Sequence, residues 1–147
     1  MIVKLPEIPD FTRPFALLMG SPGEWELKVA RELEPYYGSI AMAANTDPTP
    51  LVLHTLRESL VDAAVVVFWA GGACWQWFDL GALVGAARAR PGLGRLVCGA
   101  TPTSRDLLSR TFNSSAAMAR LEEQGIHVWG NLDDLISAAR AARGGAR

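Results

Sequence analysis

Five apolar runs punctuate the chain, and between them apolar positions recur three or four residues apart. Short apolar runs predict buried strands, and the wider spacing predicts helices with one face in the core. Strands are expected over residues 15–19 (FALLM), 39–43 (SIAMA), 63–69 (AAVVVFW), 95–99 (RLVCG) and 126–129 (IHVW). Helices are expected over 24–33, 51–60, 75–90 and 132–142, with two helical pieces over 101–112 and 115–124. In the first helix Trp25, Val29 and Leu33 face the sheet, and Lys28, Arg31 and Glu32 face outward. The second carries Leu53, Leu56 and Leu60 on its apolar side, and Asn131 is placed to cap the last. Glycine and proline separate these elements at Gly20-Ser21-Pro22-Gly23, between Asn45 and Pro50, at Gly71-Gly72 and at Pro91-Gly92. Strict alternation of strand and helix predicts an α/β fold: a doubly wound, flavodoxin- or Rossmann-like, five-stranded parallel sheet with helices on both faces.

The 147 residues suit one domain. Its expected extent is 14–142, after an irregular proline-bearing lead-in over 1–13 and before a flexible tail over 143–147. Half of the residues are hydrophobic, a fifth are charged and the net charge is −1, which gives no electrostatic case for a nucleic acid polymer as partner. No apolar run approaches the ~20 residues of a membrane span, and no secretory leader is visible. A reducing cytoplasm is the expected compartment. Cys74 and Cys98 form no CxxC pair, and only His54 and His127 are available to assist them, so no metal site is expected. Cys98 reads as core. Cys74 lies in the glycine turn, with no nearby basic residue to activate it.

The stretch DAAVVVFWAGGACWQWFDLGA, residues 62–82, concentrates the candidate chemistry. A buried strand ends at Trp69, Gly71-Gly72 turn the chain, and Trp75, Trp77 and Asp79 follow in the opening turns of a helix. In open α/β sheets ligands bind at the carboxyl ends of such strands. Aromatic faces there suit a flat heterocycle, with Trp25, Trp69, Trp75 and Trp77 as candidates. A carboxylate near a helix start stays ionised, as a nucleophile or a sugar-hydroxyl acceptor requires. The turns at Gly20, Ser21 and Gly23 and at Gly71 and Gly72 let the backbone approach a phosphate or a sugar hydroxyl. Asp62, just before the third strand, is a further candidate contact, with a local ion pair as its plainer role. Neither GxGxxG nor the P-loop pattern is present, and no GxSxG marks a hydrolase triad.

The segments FALLMGSPGEW, HTLRESLVDAAVVVFW, WQWFDLGALVGAA, GRLVCGA and HVWGNLDDLISAA resemble, in order and spacing, the nucleoside 2-deoxyribosyltransferase-like family over roughly residues 14–140. The resemblance implies a flavodoxin-like sheet, action on nucleosides or nucleotides, no metal or organic cofactor, and a homo-oligomer that completes its sites across subunits. The glutamate of the family's ELG motif attacks the anomeric carbon. Here Asp79 holds that position and is one methylene shorter. The loop before it, AGGACWQW, has no acid to protonate the departing base, and the preceding helix keeps only Glu58 and Asp62. Three readings follow: N-glycosidic cleavage or (deoxy)ribosyl transfer, a catalytically impaired nucleotide-binding module, and an oligomeric interaction protein whose tryptophans form the interface.

Overall fold

Period-two alternation sorts the strand side chains onto two sheet faces, and each face carries its own core. Phe15, Leu17, Met19, Val66 and Phe68 share one face with Val52 and Leu56 of a helix. Ala16, Leu18, Val65, Val67 and Trp69 share the other with Trp25, Val29, Leu33, Leu135 and Ala139 of two more helices. Burial on both faces explains why FALLM and VVVFW read as continuous apolar runs instead of alternating ones.

The computed structural model describes residues 1–7, 12–71, 95–101 and 127–145. Its strands are β1 (Ile2–Lys4), β2 (Phe15–Gly20), β3 (Ser39–Met42), β4 (Val65–Ala70), β5 (Arg95–Ala100) and β6 (Val128–Trp129). Its helices are α1 (Trp25–Leu33), α2 (Pro50–Asp62) and α3 (Leu132–Gly145). The strands form one parallel sheet in the order β1-β3-β2-β4-β5-β6. The parallel α/β architecture with helices on both faces is the expected one. The helices expected over 75–90, 101–112 and 115–124 lie outside the described residues.

Six strands, not five, make the sheet. The lead-in expected to be irregular contains β1, whose Ile2, Val3 and Lys4 pair with Ile40, Ala41 and Met42. Leu5 N then donates to Met42 O at 2.9 Å, and Val3 and Leu5 are buried. Three residues are too few to show a periodicity; the open edge of β3 makes them a strand. At the other end α3 runs to Gly145, into the tail expected to be flexible. The second helix starts at Pro50, earlier than expected. Proline lacks an N–H, but the first helical position needs none, and Thr49 Oγ1 caps the turn by accepting from Val52 N at 3.2 Å. Asn131 caps α3 as predicted: its Oδ1 accepts from Asp134 N at 2.9 Å.

Side-chain bonds tie α1 and its exit turn to α3. Tyr37 OH donates to Ala139 O at 2.7 Å, Lys28 pairs with Asp133 at 3.5 Å, and Arg140 pairs with Glu32 while lying 5.3 Å over the Tyr36 ring.

Apart from β1, the order β3-β2-β4-β5-β6 is the 2-1-3-4-5 order of doubly wound sheets. The chain leaves β2 for β3 on one side, then crosses back to β4 on the other. The carboxyl edge between β2 and β4 is therefore the topological switch point, where this architecture holds its ligands.

Candidate functional site at the switch point

Gly20 ends β2 at this seam, opposite Trp69 of β4. Its φ of 131° is open to glycine and strained for any other residue, and a Cβ there would stand 2.1 Å from Trp69 O. The absent side chain lets the next residue reach across the seam. Ser21 N donates to Trp69 O at 2.9 Å, and Ser21 Oγ accepts from Gly71 N at 3.0 Å. Ser21 O accepts from Trp25 Nε1 at 2.6 Å. The fold thus brings Gly20, Ser21, Trp25, Trp69 and Gly71 together.

The two tryptophans do not offer the stacking faces expected of them. Trp25 is 8% and Trp69 6% exposed, and both belong to the core under α1 and α3. The Trp69 ring lies against Gly99, where a Cβ would come within 2.7 Å of it, and its Nε1 is 2.9 Å from where a Gly71 Cβ would be. The strand period turns Trp69 toward the α1 side, and the helical stripe turns Trp25 under the loop. Both rings therefore support the loop from inside.

A buried carboxylate holds the same loop from the β3 side. Glu26, only 3% exposed, accepts from Ala44 N through Oε2 and from Asn45 Nδ2 through Oε1, the latter at 3.2 Å. Asn45 in turn clasps Gly23. Its Nδ2 donates to Gly23 O, and its Oδ1 accepts from Gly23 N, both at 2.8 Å. Burial pushes the Glu26 carboxyl above its ordinary value of 4.5, while bonds from Ala44 and Asn45 and the charge of Lys4 oppose the rise. Sequence reasoning placed Trp25, Val29 and Leu33 on the buried stripe and passed over Glu26. The signal was present: Glu26, Val29, Ala30 and Leu33 follow the i, i+3, i+4, i+7 spacing of a buried helix face.

Other candidates lie elsewhere. Asp62 is exposed at the end of α2, near the start of β4, where Ala64 N donates to Phe15 O. That is the amino edge, about 17 Å from the switch point along a six-residue strand. A helix that returns the chain to the start of a parallel strand cannot end at the carboxyl edge, so Asp62 is not a member of this site. His54 pairs with Glu58 at 3.2 Å on the exposed side of α2, and His127 meets the Trp129 ring edge-on at 4.4 Å. Cys98 is buried, and burial pushes its thiol up to about 12, which leaves it inert as a nucleophile at neutral pH. Gly72, Cys74, Trp75, Trp77 and Asp79 lie outside the described residues. No group of three or more His, Cys, Asp or Glu among the described residues is placed to hold a metal ion. Nor is any helix among them long and apolar enough to cross a membrane. No family model, curated protein or solved structure matches the chain.

Proposed function

We propose that this chain acts on the N-glycosidic bond of a nucleoside or nucleotide, by cleavage or by (deoxy)ribosyl transfer through a carboxylate nucleophile, Asp79. The observation that carries the reading is the position of Gly71. It ends the described part of the β4 segment at the switch point, hydrogen-bonded to Ser21 of the facing loop. The stretch that bears Asp79 therefore departs from the place where doubly wound sheets bind their ligands. In the first step a carboxylate oxygen bonds to the anomeric carbon, and the base leaves with the electron pair of the N-glycosidic bond and takes up a proton. Water or a second base then displaces the carboxylate from the same carbon.

The geometry of the Gly20–Gly23 loop supports a sugar hydroxyl against it better than a phosphate. Gly23 N–H is already committed to Asn45, and the Glu26 carboxylate lies behind the loop, where it repels an anion. Within this reading the protein is a cytoplasmic homo-oligomer that needs no cofactor. A second reading, a binding module that has lost catalysis, draws on the shorter Asp79 and on the absence of an acid in AGGACWQW. A misplacement of ~1 Å costs on the order of a hundredfold in rate.

Chromatography of nucleosides and nucleoside monophosphates incubated with wild type, Asp79→Ala and Asp79→Glu separates the two. Free base from wild type, a rate loss of roughly a thousandfold or more in Asp79→Ala, and activity in Asp79→Glu are expected. Nucleosides should turn over in preference to their monophosphates. Ligand binding without base release, from folded protein, assigns the second reading.

A further inference from the structure

Among the described residues Glu26 is the one buried acid, and its bonds run in a chain. Each oxygen accepts a hydrogen bond, from Ala44 N and from Asn45 Nδ2. The second proton of Asn45 Nδ2 goes to Gly23 O, and Asn45 Oδ1 takes Gly23 N–H. With both donors and its acceptor engaged, the Asn45 amide has one orientation, which Gly23 sets and Glu26 anchors from behind. We infer that Glu26 is a positioning residue: through Asn45 it holds the Gly20–Gly23 loop against the start of the β3–α2 connection and so maintains the shape that the loop presents to a ligand. The ligand part of this inference rests on the reading that a nucleoside sits on that loop.

Two physical arguments separate this role from ordinary core packing. An apolar side chain on the stripe of Glu26, Val29, Ala30 and Leu33 would meet the needs of packing, whereas a buried carboxylate must be desolvated. Second, an ionised carboxylate serves both donors with no proton in the way. A proton directed at Asn45 Nδ2 from Oε1, or at Ala44 N from Oε2, sets donor against donor, so protonation weakens one of the two bonds that join α1 to the β3–α2 connection. The charge that acts on Glu26 from a neighbouring element is Lys4 of β1. Glu24 just before α1 and Lys28, Arg31 and Glu32 on it are exposed, as is Asp47 in the β3–α2 connection.

The pH dependence has opposite signs for the loop and for the whole fold. The Asn45 and Ala44 bonds lower the Glu26 pKa within its buried surroundings. Breaking them while Glu26 stays buried raises it further, so falling pH favours the opened clasp. Global unfolding returns Glu26 to its ordinary value of 4.5 from a raised one. Its contribution to overall stability is thus fully present below that value and lost as pH rises through the folded pKa. Acidification from neutral pH toward 4.5 should loosen the loop while stabilising wild type relative to Glu26→Gln.

Amide hydrogen exchange read residue by residue by NMR on the whole, ligand-free protein tests this. In wild type the protection factor of Gly23 N–H, or of Ala44 N–H where the proton settles on Oε2, should fall as pH is lowered from neutral through the raised Glu26 pKa. Glu26→Gln should show lowered protection at both neutral and acid pH for Gly23 or for Ala44, whichever donor its amino group displaces, because a Gln side chain accepts at one end only. Asn45→Ala should lose Gly23 protection and keep that of Ala44, whose acceptor remains. Wild-type-like protection of both Gly23 and Ala44 in Glu26→Gln, unchanged Gly23 protection in Asn45→Ala, or pH-independent protection of both amides in wild type overturns the inference; the wild-type arm needs no variant to fold. Tryptophan fluorescence titration with the same nucleosides then tests the ligand. A weakening of about tenfold in Asn45→Ala, which removes the clasp itself, is expected. A loosened loop with unchanged nucleoside affinity, or with no nucleoside bound by wild type, leaves the positioning role standing and removes the nucleoside from this loop.

Discussion

A methyl group on Gly20 would stand 2.1 Å from Trp69 O, well inside any permitted contact, on a backbone that L side chains avoid. Neither β2 nor β4 can yield without breaking the sheet at its centre. Gly20→Ala should therefore cost about 3 kcal/mol or more, from strain and forced separation together. Gly130→Ala, where a Cβ meets nothing within 4 Å, is the matched control and should change stability by less than about 0.5 kcal/mol. Urea denaturation of both variants checks the difference, and equal losses would refute the close-approach account. At this scale the sequence marked Gly20, Ser21 and Gly71 as turn residues. It did not reveal that Ser21 engages Trp69 and Gly71 across the seam, because those contacts join positions about 50 apart in the chain. Glu26 escaped for another reason: acidic residues are usually exposed, and its partners Ala44 and Asn45 belong to a different element.

At the scale of elements, β2, β4 and α1 were legible because their apolar spacing is set by burial, and burial follows from the strand and helix periods themselves. β1 was not, since its three residues are made a strand by β3. Helix ends were legible where a cap is local, as at Asn131, and less so at Pro50, which reads equally as loop or first helical turn. The docking of α1 on α3 depends on side chains about 100 residues apart and left no local pattern. It carries its own prediction. Tyr37→Phe removes the bond to Ala139 O, keeps the buried ring, and should cost about 1 kcal/mol in chemical denaturation. The exposed pair Lys28–Asp133 should contribute less than half of that. A neutral Tyr37→Phe would mean that the hydroxyl finds water as readily as the α3 backbone.

For the whole molecule, β1 seals the edge that β3 would otherwise expose. Removing residues 1–5 takes away Val3 and Leu5 from the core and leaves an open strand edge. The truncated protein should lose roughly 2–5 kcal/mol and associate with rising concentration in sedimentation experiments. A monodisperse truncation of unchanged stability would show β1 to be dispensable to the sheet. By itself, the sequence determined the alternation of strands and helices from β2 to β4, the parallel class of the sheet, the burial of Cys98 and the glycine turn after β2, since each depends on spacing within a few residues. Only the tertiary structure decided that Trp25 and Trp69 support the loop from inside, that Asp62 lies at the opposite edge, and that Glu26 and Asn45 join the seam. Those outcomes depend on which strands become neighbours, and a sheet in the order β1-β3-β2-β4-β5-β6 sets residues distant in sequence side by side.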